Sequence, residues 1–265
     1  MNISDILLGA AIIIAAAAVN RVGEAKAAVN KEAKAQQIHP DQVVVDSPFV
    51  HDPVLAYENG KYYLYSTGHG ILQMTSSDRK HWTLCREGVL KNHEIPAWTH
   101  DSVPGFHTHI WAPDVIHYRN KWYLAYSCST FGKNTSAIGL LSNTSLANMN
   151  GWKDEGCILA SEGKRDNWNA IDPNFVIDDK GNPWMTWGSF WDGIQLVKLD
   201  KKTMHVKKGA MPQTIARRHA FGDASAELNP TSKFAGTNAI EAPFIMKHGG
   251  YYYLFVSWDY CCRGI

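Results

Sequence analysis

The sequence predicts an all-β fold, and three observations carry the prediction. Aromatic residues, which favour strands, are abundant, with 10 Trp, 11 Tyr and 9 Phe in 265 residues. Four segments repeat one pattern, in which a proline is followed by an apolar run, a polar turn and a second run rich in aromatic residues. No amphipathic helical stretch separates the strands, which argues against alternating strands and helices.

The four repeats define the predicted hairpins. They read HDPVLAYENGKYYLYSTG, WAPDVIHYRNKWYLAYS, IDPNFVIDDKGNPWMTWG and EAPFIMKHGGYYYLFVS, and their prolines are Pro53, Pro113, Pro173 and Pro243. The turn sequences ENGK, YRNK, DDKGN and KHGG each predict a hairpin. Further β-rich stretches follow the first three hairpins, namely ILQMTSSDRKHWT, AIGLLSNTSLANMNGWK and GIQLVKLDKKTMHV. Each of these repeats therefore supplies about four short strands.

A period of roughly sixty residues favours a β-propeller over a sandwich, because a propeller repeats four-stranded sheets around a central channel. The first strand of each sheet lines that channel. A proline is best placed at the first residue of a strand, and it holds the residue before it in an extended conformation. We therefore expect the residues just before the four prolines to converge at one mouth of the channel.

Three carboxylates occupy these converging positions. The residues directly before the prolines are Asp52, Ala112, Asp172 and Ala242, and one step earlier stand His51, Trp111, Ile171 and Glu241. A single Asp-Pro is an ordinary turn start. Three clustered acids repel one another and raise at least one pKa, which indicates a functional site. Asp114 follows its proline, lies off this register and is interpreted as structural.

The motifs VHDP, HIWAPD, AIDPN, GSFWDGI and NAIEAPF closely resemble those of glycoside hydrolase family 43, from about Val45 to the end of the chain. The segment STFGKNTSAIGL is most similar to the endo-α-1,5-L-arabinanase branch of that family. The resemblance implies a five-bladed β-propeller. The repeats account for about four blades, so we expect the chain to be truncated at its C-terminus. We expect it by itself to be poorly soluble and weakly active or inactive, because an open ring exposes sheet edges.

The resemblance also implies site residues and an inverting glycosidase mechanism, with water placed between a base and an acid. Asp52 matches the general base, Glu241 the general acid, and Asp172 the third carboxylate, which keeps the acid protonated and in place. Trp111 and Phe131 match aromatic positions that stack on arabinose rings, with core packing as the alternative. The other predicted substrate-binding residues are His51, which we expect to hydrogen-bond near Asp52, together with Ile171 and Ser189.

No cofactor is expected for the chemistry, and the expected partner is the polysaccharide arabinan. The resemblance implies a pore calcium ion, held largely by water and by a His beyond this chain. The five Cys and twelve His show no metal-binding spacing. With 26 Lys+Arg against 25 Asp+Glu, the chain lacks the charge of a nucleic-acid binder. We expect a monomer with no protein partner.

The N-terminus carries a separate signal. An apolar run over residues 6–19 is too short for a typical membrane span and has the length of a signal-peptide core. Residues 1–27 are therefore predicted to be a signal peptide of a secreted or periplasmic protein, or else an N-terminal anchor. Residues 28–44 are predicted to be a linker, and 45–265 the incomplete catalytic propeller.

Two alternative functions stay open. One is an exo-acting α-L-arabinofuranosidase or β-xylosidase of the same family, which would use the same three carboxylates. The other is a carbohydrate-binding propeller without turnover. Internal cleavage requires an open groove, whereas removal of terminal sugars suits a blind pocket.

Overall fold

Antiparallel strands make up nearly all regular structure in the chain. The computed structural model describes residues 42–91, 94–218 and 238–259, which all belong to one compact unit. Within these ranges lie sixteen strands and one short helix, so the predicted all-β fold is confirmed. The proposed signal peptide or anchor lies outside the described residues, and no helix among those described is long and apolar enough to cross a membrane.

The strands form four successive sheets. The first has the order β1-β6-β5-β3-β2, built from β1 (Gln42–Val45), β2 (Val54–Glu58), β3 (Lys61–Ser66), β5 (Leu72–Ser76) and β6 (Trp82–Cys85). The second has the order β10-β9-β8-β7-β4, built from β4 (Gly68–His69), β7 (His109–Tyr118), β8 (Lys121–Ser129), β9 (Ser136–Asn143) and β10 (Lys153–Ser161). The helix α1 (Trp98–Ser102) lies between β6 and β7 in the chain.

The third sheet runs β11-β12-β13-β14 and the fourth is the hairpin β15-β16. Their strands are β11 (Asn174–Ile177), β12 (Pro183–Trp187), β13 (Ile194–Lys198), β14 (Gln213–Ala216), β15 (Ile240–His248) and β16 (Tyr251–Trp258). All four predicted hairpins are confirmed, at the four predicted turns. No sheet closes on itself among the residues described.

Two strands differ from the prediction. The fourth strand of the third sheet is β14, whereas the stretch expected there, around Val206, forms only an isolated bridge with Leu199. The first sheet gains β1 as an outer strand, although most of β1 falls in the segment interpreted as a linker. A four-residue apolar strand at the end of a polar segment gives too short a pattern to be recognised without its partner β6.

The conformation before the prolines is the main correction to the sequence-based prediction. These residues are not extended but have positive φ, at 50° for Asp52, 40° for Ala112, 57° for Asp172 and 51° for Ala242. In β7 and β15 the Ala-Pro pair forms a bulge, where two residues face one on the partner strand. A bulge re-aims the side chain before it. Hydrogen bonds to the neighbouring sheet, described below, override the local preference of the X-Pro dipeptide.

Successive sheets pack face to face through layers of apolar side chains. Tyr65, Leu124 and Tyr126 fill the layer between the first and second sheets, and Met185 and Trp187 belong to the layer between the second and third. The first strands of the repeats contact one another in chain order, β2 against β7, β7 against β11 and β11 against β15. A cavity of about 380 Å³ lies between these four strands.

The fourth sheet differs from the others because its two strands expose large apolar side chains. The exposed residues are Phe244, Met246, Tyr251, Tyr252, Tyr253, Phe255 and Trp258. Leu55 and Tyr57 of β2, the first strand of the first sheet, are also about half exposed.

Candidate active site

The three predicted carboxylates interact electrostatically with one another. The charge of Glu241 and, to a smaller extent, that of Asp52 act on Asp172, and the charge of Asp52 acts on Glu241. Each carboxylate comes from a different sheet, immediately before or within its first strand. The convergence expected from the proline register is therefore present in the fold.

Asp52 is held by a short relay that reaches the second sheet. The Thr67 hydroxyl donates to Asp52 Oδ2 at 2.8 Å and accepts from the backbone N–H of Ala112 at 2.9 Å. His51 Nδ1 lies 2.7 Å from the same Oδ2, which confirms the predicted hydrogen bond near Asp52. These contacts converge on one carboxylate oxygen, and none of them involves Oδ1.

The backbone before each later proline is bonded to the preceding sheet. The N–H of Asp172 donates to Ser127 Oγ at 3.0 Å, as that of Ala112 does to Thr67. In the third sheet the residue equivalent to Thr67 and Ser127 is Gly188, which has no side chain. The N–H of Ala242 donates instead to the carboxylate of Asp172, with 3.0 Å between N and Oδ2.

Sequence reasoning missed Thr67 and Ser127, although both stand at the end of the second strand of their hairpins. An alignment of the repeats could have identified them, because a hydroxyl residue occupies the same place in the first and second repeats. The hydrogen bonds of Thr67 and Ser127 stabilise Ala112 and Asp172 at positive φ, a conformation that costs a residue other than glycine about 1–3 kcal/mol. Strain of this kind is concentrated where function requires fixed geometry.

Glu241 is positioned by a strained loop of the third sheet. Ser189 Oγ donates to Glu241 Oε2 at 3.1 Å, and the N–H of Phe190 donates to the carbonyl of Ile240 at 2.9 Å. Phe190 and Trp191 both have positive φ. Ser189 is only 4% exposed, so its visible role is to contact Glu241, while its predicted contact with substrate stays a prediction.

Burial and mutual repulsion raise two of the three carboxyl pKa values. Burial, followed by the charge of Glu241, raises the pKa of Asp172 to about 8, against an opposing hydrogen bond from Ala242. Burial also raises the pKa of Glu241, the Ser189 hydrogen bond lowers it, and the charge of Asp52 raises it further. Burial is thus the leading cause at Glu241, ahead of the neighbouring anion on which the sequence argument relied. The Asp172–Glu241 pair holds at least one proton near neutral pH.

Two aromatic side chains form an edge-to-face pair beside these acids. The ring centroids of Trp111 and Phe131 lie 6.3 Å apart, and Trp111 directly precedes Ala112, which is bonded to the Asp52 relay. Phe131 is 82% exposed and Trp111 is partly exposed. Exposure of this extent excludes core packing for Phe131.

The last predicted binding residue, Ile171, is only 7% exposed, while its carbonyl accepts from the N–H of Gly188.

Asp114 links the second sheet to the third through hydrogen bonds, in line with the structural role predicted for it. It is buried in the wall of the cavity, and its Oδ2 accepts from the N–H of Phe175 at 2.6 Å and from Asn174 Nδ2 at 3.2 Å. Asn174 Oδ1 in turn accepts from the N–H of Ile245 at 2.8 Å. The polar residues after the second and third prolines thereby connect three sheets in series. Burial raises the pKa of Asp114 to about 7.

Asp114 and Asn174, two polar residues that line the cavity, take part in hydrogen bonds to the backbone of neighbouring sheets. Calcium takes six to eight oxygen ligands, whereas the carboxylate and amide in the channel wall, Asp114 and Asn174, are already engaged with backbone N–H groups. Among the residues that the structure describes, no three His, Cys, Asp or Glu side chains converge as metal ligands. No step below involves a metal ion.

Solved structures of arabinanases are similar to this chain in fold and sequence. An exo-1,5-α-L-arabinanase from a bovine ruminal metagenomic library superposes with a TM-score of 0.72 at 53% identity, over 83% of this chain and 68% of that one. An α-L-arabinanase of Cellvibrio cellulosa, solved with arabinohexaose, superposes with a TM-score of 0.71 at 40% identity, over 81% of this chain and 66% of that one.

Two curated proteins show the same relationship in sequence. An extracellular exo-α-(1→5)-L-arabinofuranosidase of Cellvibrio japonicus is 42% identical over 81% of this chain and 60% of its own length. An extracellular endo-α-(1→5)-L-arabinanase of Bacillus subtilis is 40% identical over 82% of this chain and 61% of its own. The chain thus spans about three fifths of the length of these relatives. The model of glycosyl hydrolases family 43 matches residues 42–264, and the chain belongs to that family.

Proposed function

We propose that this chain supplies the catalytic carboxylates of an endo-acting α-1,5-L-arabinanase that hydrolyses arabinan with inversion. The observation that carries the proposal is the convergence of Asp52, Asp172 and Glu241 from three different sheets beside an exposed aromatic pair. The arabinanases and arabinofuranosidase among its relatives supply the substrate class.

In this mechanism Asp52 is the general base. Its side chain is about one-third exposed, and Oδ2 accepts the Thr67 and His51 contacts, so Oδ1 accepts a proton from an attacking water. The oxygen of that water forms a bond to the anomeric carbon as the glycosidic C–O bond breaks. Glu241 protonates the leaving oxygen, so that one water is consumed, Asp52 ends protonated and Glu241 ends ionised. Loss of the Asp52 proton to solvent and uptake of a proton by Glu241 restore the starting state.

Asp172 controls the charge of the acid in this mechanism. Two carboxyl groups in one partly buried site do not both ionise readily near neutral pH. The Asp172–Glu241 pair therefore retains a proton that Glu241 delivers to the leaving group. The bond from Ala242 N–H to Asp172 also fixes the peptide immediately after Glu241, so Asp172 influences both the ionisation and the position of the acid.

Trp111 and Phe131 form the proposed sugar platform. Both offer aromatic surface next to the relay that holds Asp52. Aromatic faces pack against the C–H groups of pyranose or furanose rings without requiring a hydrogen-bond pattern. The platform would place an arabinose ring against the carboxylates, with the remaining chain continuing over the exposed Phe131.

We further infer that the four sheets are consecutive blades of a five-bladed propeller. Their first strands contact one another in chain order around the cavity, which is the arrangement of inner propeller strands. We also propose export of the protein, which is supported by the apolar run over residues 6–19 and by the extracellular relatives. A crystal structure of the protein tests the propeller, and N-terminal sequencing of the secreted protein tests export.

An exo-acting arabinanase or arabinofuranosidase is the second candidate. It is favoured by one observation, namely that the relatives at 53% and 42% identity are both named as exo-acting enzymes. The three carboxylates serve either mode equally. The difference lies in whether the platform continues as an open groove or ends at a wall, and the products of hydrolysis distinguish the two.

The test is hydrolysis of debranched linear arabinan by a purified version of the protein that spans the full length of its relatives, and by the Glu241→Gln variant of that version. We expect short oligosaccharides from the wild type, and a loss of more than about 10³-fold in kcat with retained oligosaccharide binding in the variant. Glu155→Gln is the matched control, because Glu155 also accepts a serine hydrogen bond but lies on an outer strand. Arabinose as sole product would favour the exo mode, and binding without cleavage by the wild type would refute the proposed function.

A further inference from the structure

His109 and His69 are brought together by strand pairing at the edge of the proposed site. The two-residue strand β4 pairs with the start of β7, so that His69 faces His109 directly. The two imidazole centroids lie 5.3 Å apart in an edge-to-face arrangement. His109 is the first residue of β7, the strand that carries Trp111.

The Trp111 indole is hydrogen-bonded to His109. Trp111 Nε1 donates to His109 Nδ1, with 3.1 Å between the nitrogens. Residues two apart on a strand share a face, so this contact is built into β7. Indole N–H is only a donor, and Nδ1 accepts only when it carries no proton. The bond therefore exists with neutral His109 protonated at Nε2 and is lost in the imidazolium form.

We propose that His109 is a positioning residue whose neutral imidazole fixes the plane of the Trp111 indole, and thereby sets the affinity for the sugar ring beside the carboxylates. The proposal rests on the proposed function, because it takes Trp111 as a sugar platform. Two side chains then constrain the Trp111 indole. Phe131, from the loop after β8, packs against it edge to face, and His109 accepts the hydrogen bond from its Nε1.

The proposal implies a specific response to pH. The groups that act on His109 are His69 from β4 and His51 from the segment before β2, and His51 itself contacts Asp52. Burial, followed by the positive charges of His69 and His51, lowers the pKa of His109 from its ordinary value. The acceptor is therefore preserved at neutral pH. Acidification protonates His109, releases the indole and raises KM for arabinan.

Two variants separate the hydrogen bond from the bulk of the side chain. His109→Leu removes the acceptor, whereas His109→Asn places an amide oxygen near the position of Nδ1 and does not titrate. A hydrogen bond contributes about 1 kcal/mol, so we expect His109→Leu to raise KM roughly fivefold while kcat changes by less than about twofold. His109→Asn should restore a low KM and abolish its rise at acid pH.

The matched control is His117→Leu on the same strand, because His117 also contacts an indole, that of Trp122, away from the site. Its KM should equal that of the wild type. In a Trp111→Phe background, which lacks the indole N–H, His109→Leu should have no further effect on KM. Additive effects of the two substitutions, or an unchanged KM in folded His109→Leu, would overturn the proposal.

A readout without substrate separates this inference from the proposed function. The indole N–H resonance of Trp111, assigned by its loss in Trp111→Phe, should move with pH and should lose that response in His109→Leu and His109→Asn. If the wild type fails to cleave arabinan while this resonance behaves as expected, the proposed function fails and the His109–Trp111 contact stands. A resonance indifferent to both substitutions refutes the contact, and His109→Asn provides the answer if His109→Leu does not fold.

Discussion

The backbone N–H of Ala242 donates to the carboxylate of Asp172 across the boundary between the third and fourth sheets. Because Ala242 directly follows Glu241, a side chain of one sheet fixes the peptide that carries the carboxylate of the next. Asp172 therefore acts on Glu241 through geometry as well as through charge. The two contributions can be separated by substitution, since Asn retains an acceptor oxygen and Ala does not.

Replacing Asp172 by Asn and by Ala should have different consequences. Asp172→Asn keeps an acceptor for Ala242 N–H, whereas Asp172→Ala leaves that donor unpaired and should cost about 1–3 kcal/mol of unfolding free energy. We expect kcat on linear arabinan to be roughly tenfold lower in the Ala variant than in the Asn variant. Equal kcat and equal denaturation midpoints in the two variants would contradict the positioning role.

Removing the hydroxyl of Ser189 should shift the pH profile to the alkaline side. Its hydrogen bond lowers the pKa of Glu241, so Ser189→Ala should raise that pKa. The alkaline limb of kcat/KM, which reports loss of the proton from the acid in the free enzyme, should then move to higher pH. Ser142→Ala removes a similar Ser–Glu bond on an outer strand and should leave the profile unchanged. A shift to lower pH in Ser189→Ala would reverse the assignment.

Truncating Phe131 should weaken substrate binding without loss of stability. The ring is 82% exposed, so Phe131→Ala removes little buried area and should change the unfolding free energy by less than about 0.5 kcal/mol. Loss of an aromatic platform worth about 1 kcal/mol should raise KM roughly fivefold. Phe49→Ala is the control, because Phe49 is 94% exposed. The platform is refuted if both variants give the wild-type KM.

The buried Asp114 should make the protein less stable as the pH rises. Burial raises its pKa from 3.8 to about 7, so the folded state binds this proton more tightly than the unfolded state. Stability from this group is complete below about pH 4 and is lost as the pH rises to about 7, at up to about 1.4 kcal/mol per pH unit. Asp114→Asn should reduce the difference in unfolding free energy between pH 5 and pH 8. An unchanged difference would contradict the raised pKa.

The sequence was sufficient to predict the position of the acids. A proline recurring before each hairpin set the register, and the register alone predicted that Asp52, Asp172 and Glu241 meet. Strand periodicity and the turn sequences likewise predicted the four hairpins. These features depend on the conformational preferences of short segments, which can be read from the residues of a single sequence.

The contacts that fix the acids could not be predicted in the same way. The bond from Ala112 to Thr67 joins residues in different sheets and depends on a left-handed backbone that the X-Pro rule disfavours. The pairing of His69 with His109 depends on a two-residue strand, too short to leave a pattern. The first arises from contact between sheets and the second from a strand pairing within the second sheet between residues 40 apart in the chain, so neither leaves a local sequence pattern.

The serial hydrogen bonding between sheets has a consequence for synthesis of the protein. Each of these hydrogen bonds joins a sheet to the one before it, so a nascent chain can add its sheets in the order in which they leave the ribosome. At roughly 5–20 residues per second, the proposed acid emerges well after the proposed base. A ribosome that stalls before the fourth hairpin would therefore carry the proposed base without the proposed acid.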